Sequence, residues 1–273
     1  MSIPRTERRN PNSMNLDRMS TEEMAKLVIT ANYDAVKAAE SASEAIAKAV
    51  EAVAEAFNSG GHLFYIGAGT SGRLGIIDAA EAPPTFGVPH DLIQGIIAGG
   101  YDRLVKAGEN EEDNYEKGCE EMRARGVTSR DVVVGISAAG NAAYVVGALE
   151  EAKRRGCVTV AISSNEDTAV LRCADIPIFT DTGAEVLTGS TRLKAGTAQK
   201  IVLNTISTCA MVKVGKVYEN MMINLAPSNV KLKRRVIRIT SAILECSEDE
   251  AQKHLNEHGW VIRDTVEAVK KRS

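Results

Sequence analysis

The sequence predicts an α/β protein: a doubly wound αβα sandwich with about five parallel strands, a helical N-terminal layer before it and a small helical appendage after it. Three observations lead there. Between residues 63 and 179, short apolar runs rich in β-branched residues alternate with helical stretches. Those runs are apolar at nearly every position rather than at every second one, as parallel strands covered by helices on both faces require. Helix start and stop signals, without strand signals, dominate both ends of the chain.

Residues 1–19 carry Pro4, Asn10, Pro11 and Asn12 with few apolar groups, and such a segment buries little surface by itself, so it reads as an arm. Ser20 followed by Glu23 has the capping-box spacing, in which hydroxyl and carboxylate satisfy backbone donors at a helix start. Ile46, Val50, Val53 and Phe57 then recur at helical spacing, and Gly60-Gly61 supplies the stop. The expected strands are Leu63 to Ile66, Leu92 to Ala98, Val132 to Ile136, Val158 to Ile162 and Ile176 to Phe179. Pro177 cannot donate to a ladder, which puts the last run at a sheet edge. From residue 226, Pro227, a basic stretch from Lys231 to Arg238 and a helical tail ending at Ser273 form the appendage. The expected organisation is therefore an arm (1–19), a main domain (20–225) and a C-terminal appendage (226–273).

With 33 Lys+Arg against 36 Asp+Glu the formal charge is −3, too near neutral for broad electrostatic capture of nucleic acid or an anionic membrane. Lys231, Lys233, Arg234 and Arg235 are interleaved with Val236, Ile237 and Ile239, the pattern of one solvated helix face rather than a nucleic-acid patch. Five cysteines, with no C-x-x-C pair, argue against a disulfide lattice or a structural zinc site and point to reduced thiols in the cytoplasm. His62, His90, His254 and His258 are not spaced with acids or cysteines as a zinc site requires. No apolar run reaches the roughly 18 residues of a membrane span.

Open α/β sheets bind ligands beyond the carboxyl ends of their strands, where helix N-termini offer unpaired N–H groups. After the first strand, Gly67-Ala68-Gly69-Thr70-Ser71-Gly72-Arg73 formally fits G-x-G-x-x-G. A dinucleotide reader also needs an acidic residue at the end of the second strand, and that strand ends in Ala98-Gly99-Gly100. The loop instead offers Gly69, Thr70, Ser71 and Gly72 as a cradle for one phosphate of a small molecule. Two further loops, Ser137 to Asn141 and Thr188 to Thr197 (with Ser190, Thr191 and Lys194), again lead hydroxyls and glycines into a helix. Three such loops can surround one phosphorylated polyol.

Two carboxylates complete the candidate site. Glu81 is followed by Ala82-Pro83-Pro84, expected to break the helix that opens at Ser71. The acid would then sit near the negative end of the helix dipole, with its protonated form favoured. Glu112 lies in an acidic cluster with Glu109, Glu111 and Asp113, where like charge opposes ionisation. Either suits general acid–base work; a solvated helix end and a solvated acidic face are the plainer readings of the two.

The runs YIGAGTSGRLGIIDAAEAPPTFG (65–87) and EVLTGSTRLKAGTAQK (185–200), with TERRNPNSMNLDRMST near the start and GKVYENMMIN at 215–224, resemble the N-acetylmuramic acid 6-phosphate etherase family of the sugar isomerase (SIS) superfamily. That resemblance implies cleavage of a D-lactyl ether without metal or nucleotide, with no cofactor. It makes Glu81 the acid at the ether oxygen and Glu112 the base at carbon 2. It makes Gly69, Thr70, Ser71, Gly72, Ser137, Asn141, Thr188, Ser190, Thr191 and Lys194 the substrate-binding set, and it implies a homodimer. Where the family usually reads A-S-G-R-T-P-Y, this chain has Ala138-Ala139-Gly140-Asn141-Ala142-Ala143-Tyr144, losing a serine, an arginine and a threonine. The tail is also shortened against the family pattern. The alternatives the resemblance leaves are a sugar-phosphate-binding regulator and a sugar-phosphate isomerase.

Overall fold

The computed structural model describes residues 3–106, 108, 111–225, 227 and 230–271. Contacts divide the chain into two compact units, Met1–Ala80 with Asp91–Ala210, and Glu81–His90 with Met211–Ser273. Two of the three divisions fall inside long helices, and the third falls in the turn at His90 and Asp91.

The first unit begins with the polar arm, in which Thr6 is the one buried residue among 3–19. Too poor in apolar groups to pack, the arm is held by hydrogen bonds instead: Asn165 exchanges bonds with the Thr6 N–H (3.2 Å) and hydroxyl (2.9 Å), and Ser13 donates to the Val186 carbonyl at 2.7 Å. Helices α1 (Thr21–Ala31), α2 (Tyr33–Ser41) and α3 (Ser43–Asn58) follow. The Ser20/Glu23 capping box forms as the spacing predicts, and α3 buries Ile46, Val50 and Val53 before stopping ahead of Gly60.

Five strands, β1 (Leu63–Gly67), β2 (Ile93–Ile97), β3 (Val132–Ile136), β4 (Val158–Ser163) and β5 (Ile176–Phe179), form one parallel sheet in the order β2-β1-β3-β4-β5. Each lies within a residue of its predicted span. Between them run α4 (Gly69–Phe86), α5 (Tyr115–Arg125), α6 (Ala143–Arg154) and α7 (Ala169–Cys173), and α8 (Lys194–Lys213) follows the sheet. β1 and β3 are buried at every position, which accounts for their unbroken apolar runs. β5, carrying Pro177, is an edge strand as expected. Because β2 and β3 lie on opposite sides of β1, the chain leaves β1 and β3 in opposite directions, and this order opens a crevice at their carboxyl ends.

One expectation is overturned. Pro83 and Pro84 do not break α4; the helix carries both and runs to Phe86. A proline's fixed φ is itself helical, so the cost is two missing N–H donors and crowding of the preceding turn. The end comes at Gly87, which takes φ +62° and donates to the Pro83 carbonyl at 2.9 Å. Glu81 thus lies inside the helix rather than at its close, and the dipole argument built on that position no longer applies.

In the second unit, β6 (Val217–Tyr218) and β7 (Met221–Met222) pair antiparallel, and α9 (Val230–Leu244), α10 (Glu248–Glu257) and α11 (Ile262–Lys270) pack around Val236, Ile243, Leu255, Ile262 and Val266. A second capping box, Ser247 with Glu250, starts α10. On α9, Lys231, Lys233 and Arg234 are exposed while Val236 is buried, the solvated face read from the sequence. No helix among the described residues is long and apolar enough to cross a membrane.

Candidate active site

The turn from β1 into α4 is built by close approach. A Cβ on Gly67 would lie 2.7 Å from the Gly72 nitrogen, and one on Gly72 would lie 2.7 Å from the Gly67 carbonyl oxygen, so both positions need glycine for the helix start to press onto the strand end. Gly69 takes φ +52° with open space where a side chain would stand. Beside it, at the ends of β1 and β2, lies a cavity of about 140 Å³ lined by Ala68, Gly69, Arg73, Ala98, Arg103, Gly108, Glu111 and Glu112. Glu112 is exposed there, and its backbone carbonyl accepts the Tyr144 N–H at 2.9 Å, which holds it against the start of α6.

The cavity also holds two cations that the sequence reading did not single out. Arg73 donates from Nε to the Leu104 carbonyl (2.9 Å) and from its terminal nitrogen to the Arg103 carbonyl (2.6 Å), and Arg103 pairs with Glu111 at 3.2 Å. Of the expected acidic cluster, Glu111 and Glu112 line this cavity together with the two arginines, Asp113 is exposed outside its lining, and Glu109 lies outside the described residues. Arg73 was within reach of the sequence, since it stands four residues after Gly69 and so shares its helix face. Arg103 carries no such local signal.

The other predicted residues divide between open and occupied positions. Ser71 is buried and donates to Gln199 Oε1 at 3.0 Å. Thr70 is half-buried beside α8: a Cβ on Gly196 would lie 3.7 Å from its methyl carbon. Ser137 accepts the Gly140 N–H at 3.0 Å, closing its own loop, and exposed Asn141 accepts the Ala169 N–H at 3.3 Å at the start of α7. In the third loop Thr188 is exposed, and Ser190 and Thr191 are partly exposed with their backbones in tight turns, Ser190 N–H to the Leu187 carbonyl at 2.9 Å and Thr191 N–H to the Gly189 carbonyl at 3.0 Å.

At α8 the helix start is already filled. Glu185, fully buried, accepts the Lys194 N–H (3.0 Å) and the Ala195 N–H (2.9 Å), and the Lys194 ammonium reaches Asp34 at 3.0 Å. Burial raises the Glu185 pKa, outweighing the two amides and the nearby ammonium that pull it down. The Glu185 carboxylate thus occupies the place an external anion would take at this helix start, a role that no local pattern around Glu185 signals. Glu81 is exposed on α4 in the second unit.

A small concave site with an exposed carboxylate, an adjoining glycine turn at a helix N-terminus and flanking guanidinium groups can hold an oxyanion and move a proton. The chain matches the family models described as glucokinase regulatory protein N-terminal SIS domain, over residues 45–153, and SIS domain, over residues 116–208. Among solved structures it shares its fold with the phosphoheptose isomerase of Neisseria gonorrhoeae (TM-score 0.52, 19% identity, 70% of this chain and 99% of that one). A phosphoheptose isomerase from Francisella tularensis gives 0.51, 18%, 73% and 100%. Proteins named N-acetylmuramic acid 6-phosphate etherase are far more similar. That of Symbiobacterium thermophilum is 47% identical over 97% of this chain and 88% of its own length, and that of Crocosphaera subtropica 50% over 94% and 85%. A third, from Actinobacillus pleuropneumoniae serotype 5b, is 49% identical over 92% and 82%. With identity near one half sustained along almost the whole chain, this protein belongs to the N-acetylmuramic acid 6-phosphate etherase family.

Proposed function

We propose that this protein is a carbon–oxygen lyase that converts N-acetylmuramic acid 6-phosphate and water into N-acetylglucosamine 6-phosphate and D-lactate. The observation that carries the reading is identity of 46% to 50% over nine-tenths or more of the chain to proteins bearing that name.

In the open-chain sugar the aldehyde acidifies the hydrogen on carbon 2. Glu112 takes that proton, the carbon 3–oxygen bond breaks, and Glu81 protonates the departing lactate oxygen, which would otherwise leave as a poor alkoxide. Water then adds to the alkene at carbon 3, activated by Glu81, while Glu112 returns its proton to carbon 2. Glu112's exposure at the cavity beside Gly69 supports the base assignment; the match of its surrounding motif to the family supports Glu81. Gly69, Thr70, Ser71 and Gly72 cradle the phosphate, with Ser137, Asn141 and the loop bearing Thr188, Ser190, Thr191 and Lys194 completing the sugar site. Arg73 and Arg103 offset the charge of Glu111 and Glu112, so a dianionic ligand does not meet a net negative wall.

The active form is a homodimer of cytoplasmic location, the second point supported by five free cysteines that fit a reducing compartment. Incubation with the muramic acid phosphate and assay of D-lactate tests the reaction. Lactate release that disappears in Glu81→Gln is expected, whereas tight phosphosugar binding with no lactate from folded protein would assign the chain to ligand sensing instead. Light scattering at micromolar concentration tests the dimer, and a monomer refutes it.

A further inference from the structure

Thr6, the one buried residue of the arm among 3–19, meets Asn165, itself buried just past the end of β4. Packing alone would be served by valine, which fills the same volume with no hydroxyl to desolvate. The threonine is spent on hydrogen bonds instead. Its N–H donates to Asn165 Oδ1 at 3.2 Å, its hydroxyl oxygen accepts from Asn165 Nδ2 at 2.9 Å, and its carbonyl accepts the Gly189 N–H at 3.3 Å. On its other side Asn165 Nδ2 donates toward the carbonyls of Ala139 (3.3 Å) and Ala138 (3.5 Å). Only one orientation of the amide suits these partners. A backbone N–H can only donate and a carbonyl can only accept, so the amide oxygen faces Thr6 N–H and the nitrogen faces the two carbonyls.

These bonds form a continuous path from Ala139 in the second glycine-rich loop, through Asn165 and Thr6, to Gly189 in the third. The two loops start far apart in the chain, one at the end of β3 and the other ahead of α8. The arm between them is anchored at further points: Arg5 pairs with Glu166 at 3.1 Å and with Asp181 and lies over the Phe179 ring, and Asn10 donates to the Ala184 carbonyl at 3.1 Å.

We propose that Thr6 and Asn165 are positioning residues for phosphosugar binding: together they fix the spacing of the second loop (Ser137 to Asn141) and the third (Thr188 to Thr191), so that groups on both reach one ligand. The inference rests on the reading that these two loops hold the sugar. Neither side chain touches the ligand. They act through the backbone of Ala139 and Gly189, so their loss weakens binding and leaves the proton-transferring glutamates in place.

Asn165→Leu removes the whole link, Thr6→Val removes the hydroxyl alone, and Thr6→Ser keeps it. For these, for Thr6→Val/Asn165→Leu and for Ser190→Ala/Thr191→Ala, KM and kcat are measured in lactate release from N-acetylmuramic acid 6-phosphate. Kd for N-acetylglucosamine 6-phosphate, by calorimetry, gives a readout without turnover, and thermal melts check folding. The expected result is KM and Kd raised about tenfold or more in Asn165→Leu with kcat within about threefold of the parent, raised several-fold in Thr6→Val, and restored in Thr6→Ser. In the cycle, Thr6→Val should add nothing in the Asn165→Leu background. Parent-like KM and Kd in Asn165→Leu, with only the melting temperature lowered, would overturn the positioning role, as would independent, multiplying effects; raised values in Ser190→Ala/Thr191→Ala would then leave the sugar site standing. Parent-like values in that loop variant would overturn both, because the third loop's hydroxyls would then touch no ligand. Should Asn165→Leu not fold, Thr6→Val against Thr6→Ser decides alone.

Discussion

At the amino ends of the strands, Asp131 accepts the His62 N–H at 2.8 Å, the Thr128 N–H at 2.7 Å and the Thr128 hydroxyl at 3.0 Å, tying the entry of β1 to that of β3. Asp175 does the same for β4 and β5, taking the Thr159 N–H at 3.0 Å and hydroxyl at 2.7 Å, with Lys153 alongside at 2.6 Å. At the carboxyl ends of β1 and β2, by contrast, a glycine turn faces a cavity with Glu112 exposed on its wall. Carboxylates serve both ends. At the first the carboxylates take backbone and side-chain donors from the entries of the strands, and at the second Glu112 is exposed at the wall of a cavity. The difference separates acids that hold the sheet together from acids able to exchange a proton with something that arrives.

The largest expected effect comes from the open end. Glu112→Gln should lower kcat by about 10²- to 10⁴-fold in a lactate-release assay, with the melting temperature within about 2 °C of the parent. A large loss of stability instead would place Glu112 with the structural acids. Next, Asp131→Ala strands two N–H groups and a hydroxyl and should cost about 2–4 kcal/mol in urea unfolding, while kcat per folded molecule stays unchanged. Third comes pH. Burial alone would raise the pKa of Asp131 and of Asp175, and their hydrogen bonds outweigh it, to Thr128 and His62 for Asp131 and to Lys153 and Thr159 for Asp175, so both lie below the ordinary aspartate value. Folding then favours the ionised form, so this stabilisation is complete above the ordinary aspartate pKa and is lost as pH falls through the lowered values. Urea titrations at a series of acidic pH values should show that loss, and Asp131→Asn should flatten it. Glu185, with its pKa raised, contributes in the opposite sense, losing stabilisation as pH rises from the ordinary glutamate value through the raised one. The smallest effect belongs to Asn141→Arg. Restoring the guanidinium usual in the family should lower KM by up to about tenfold with little change in melting temperature. An unaltered KM would remove this loop from the substrate site.

The strands, the Ser20/Glu23 capping box, the edge position of Pro177 and the stop at Gly60 were legible because each depends on residues close together in the chain. Other features were not legible for the converse reason. Arg103 reaches the cavity from a single turn of 3-10 helix, Tyr101–Leu104, too short to carry a period. Glu185 caps α8 from nine residues away, Lys194 meets Asp34 from 160 residues away, and Ser71 meets Gln199 across 128. The prolines of α4 misled because proline costs a helix two donors without forbidding it, and the local penalty does not reveal whether packing will bear it.

Glu185 has one more consequence. Helix starts of this kind commonly collect sulfate or phosphate from the medium, yet here the counterion is grown into the chain and arrives at every folding event, whatever the buffer contains. The third glycine-rich loop is thereby made indifferent to the ionic makeup of its surroundings. Truncating that single carboxylate would turn a private contact into a shared one, and the melting temperature of Glu185→Ala would climb saturably with added sulfate where the parent's would not.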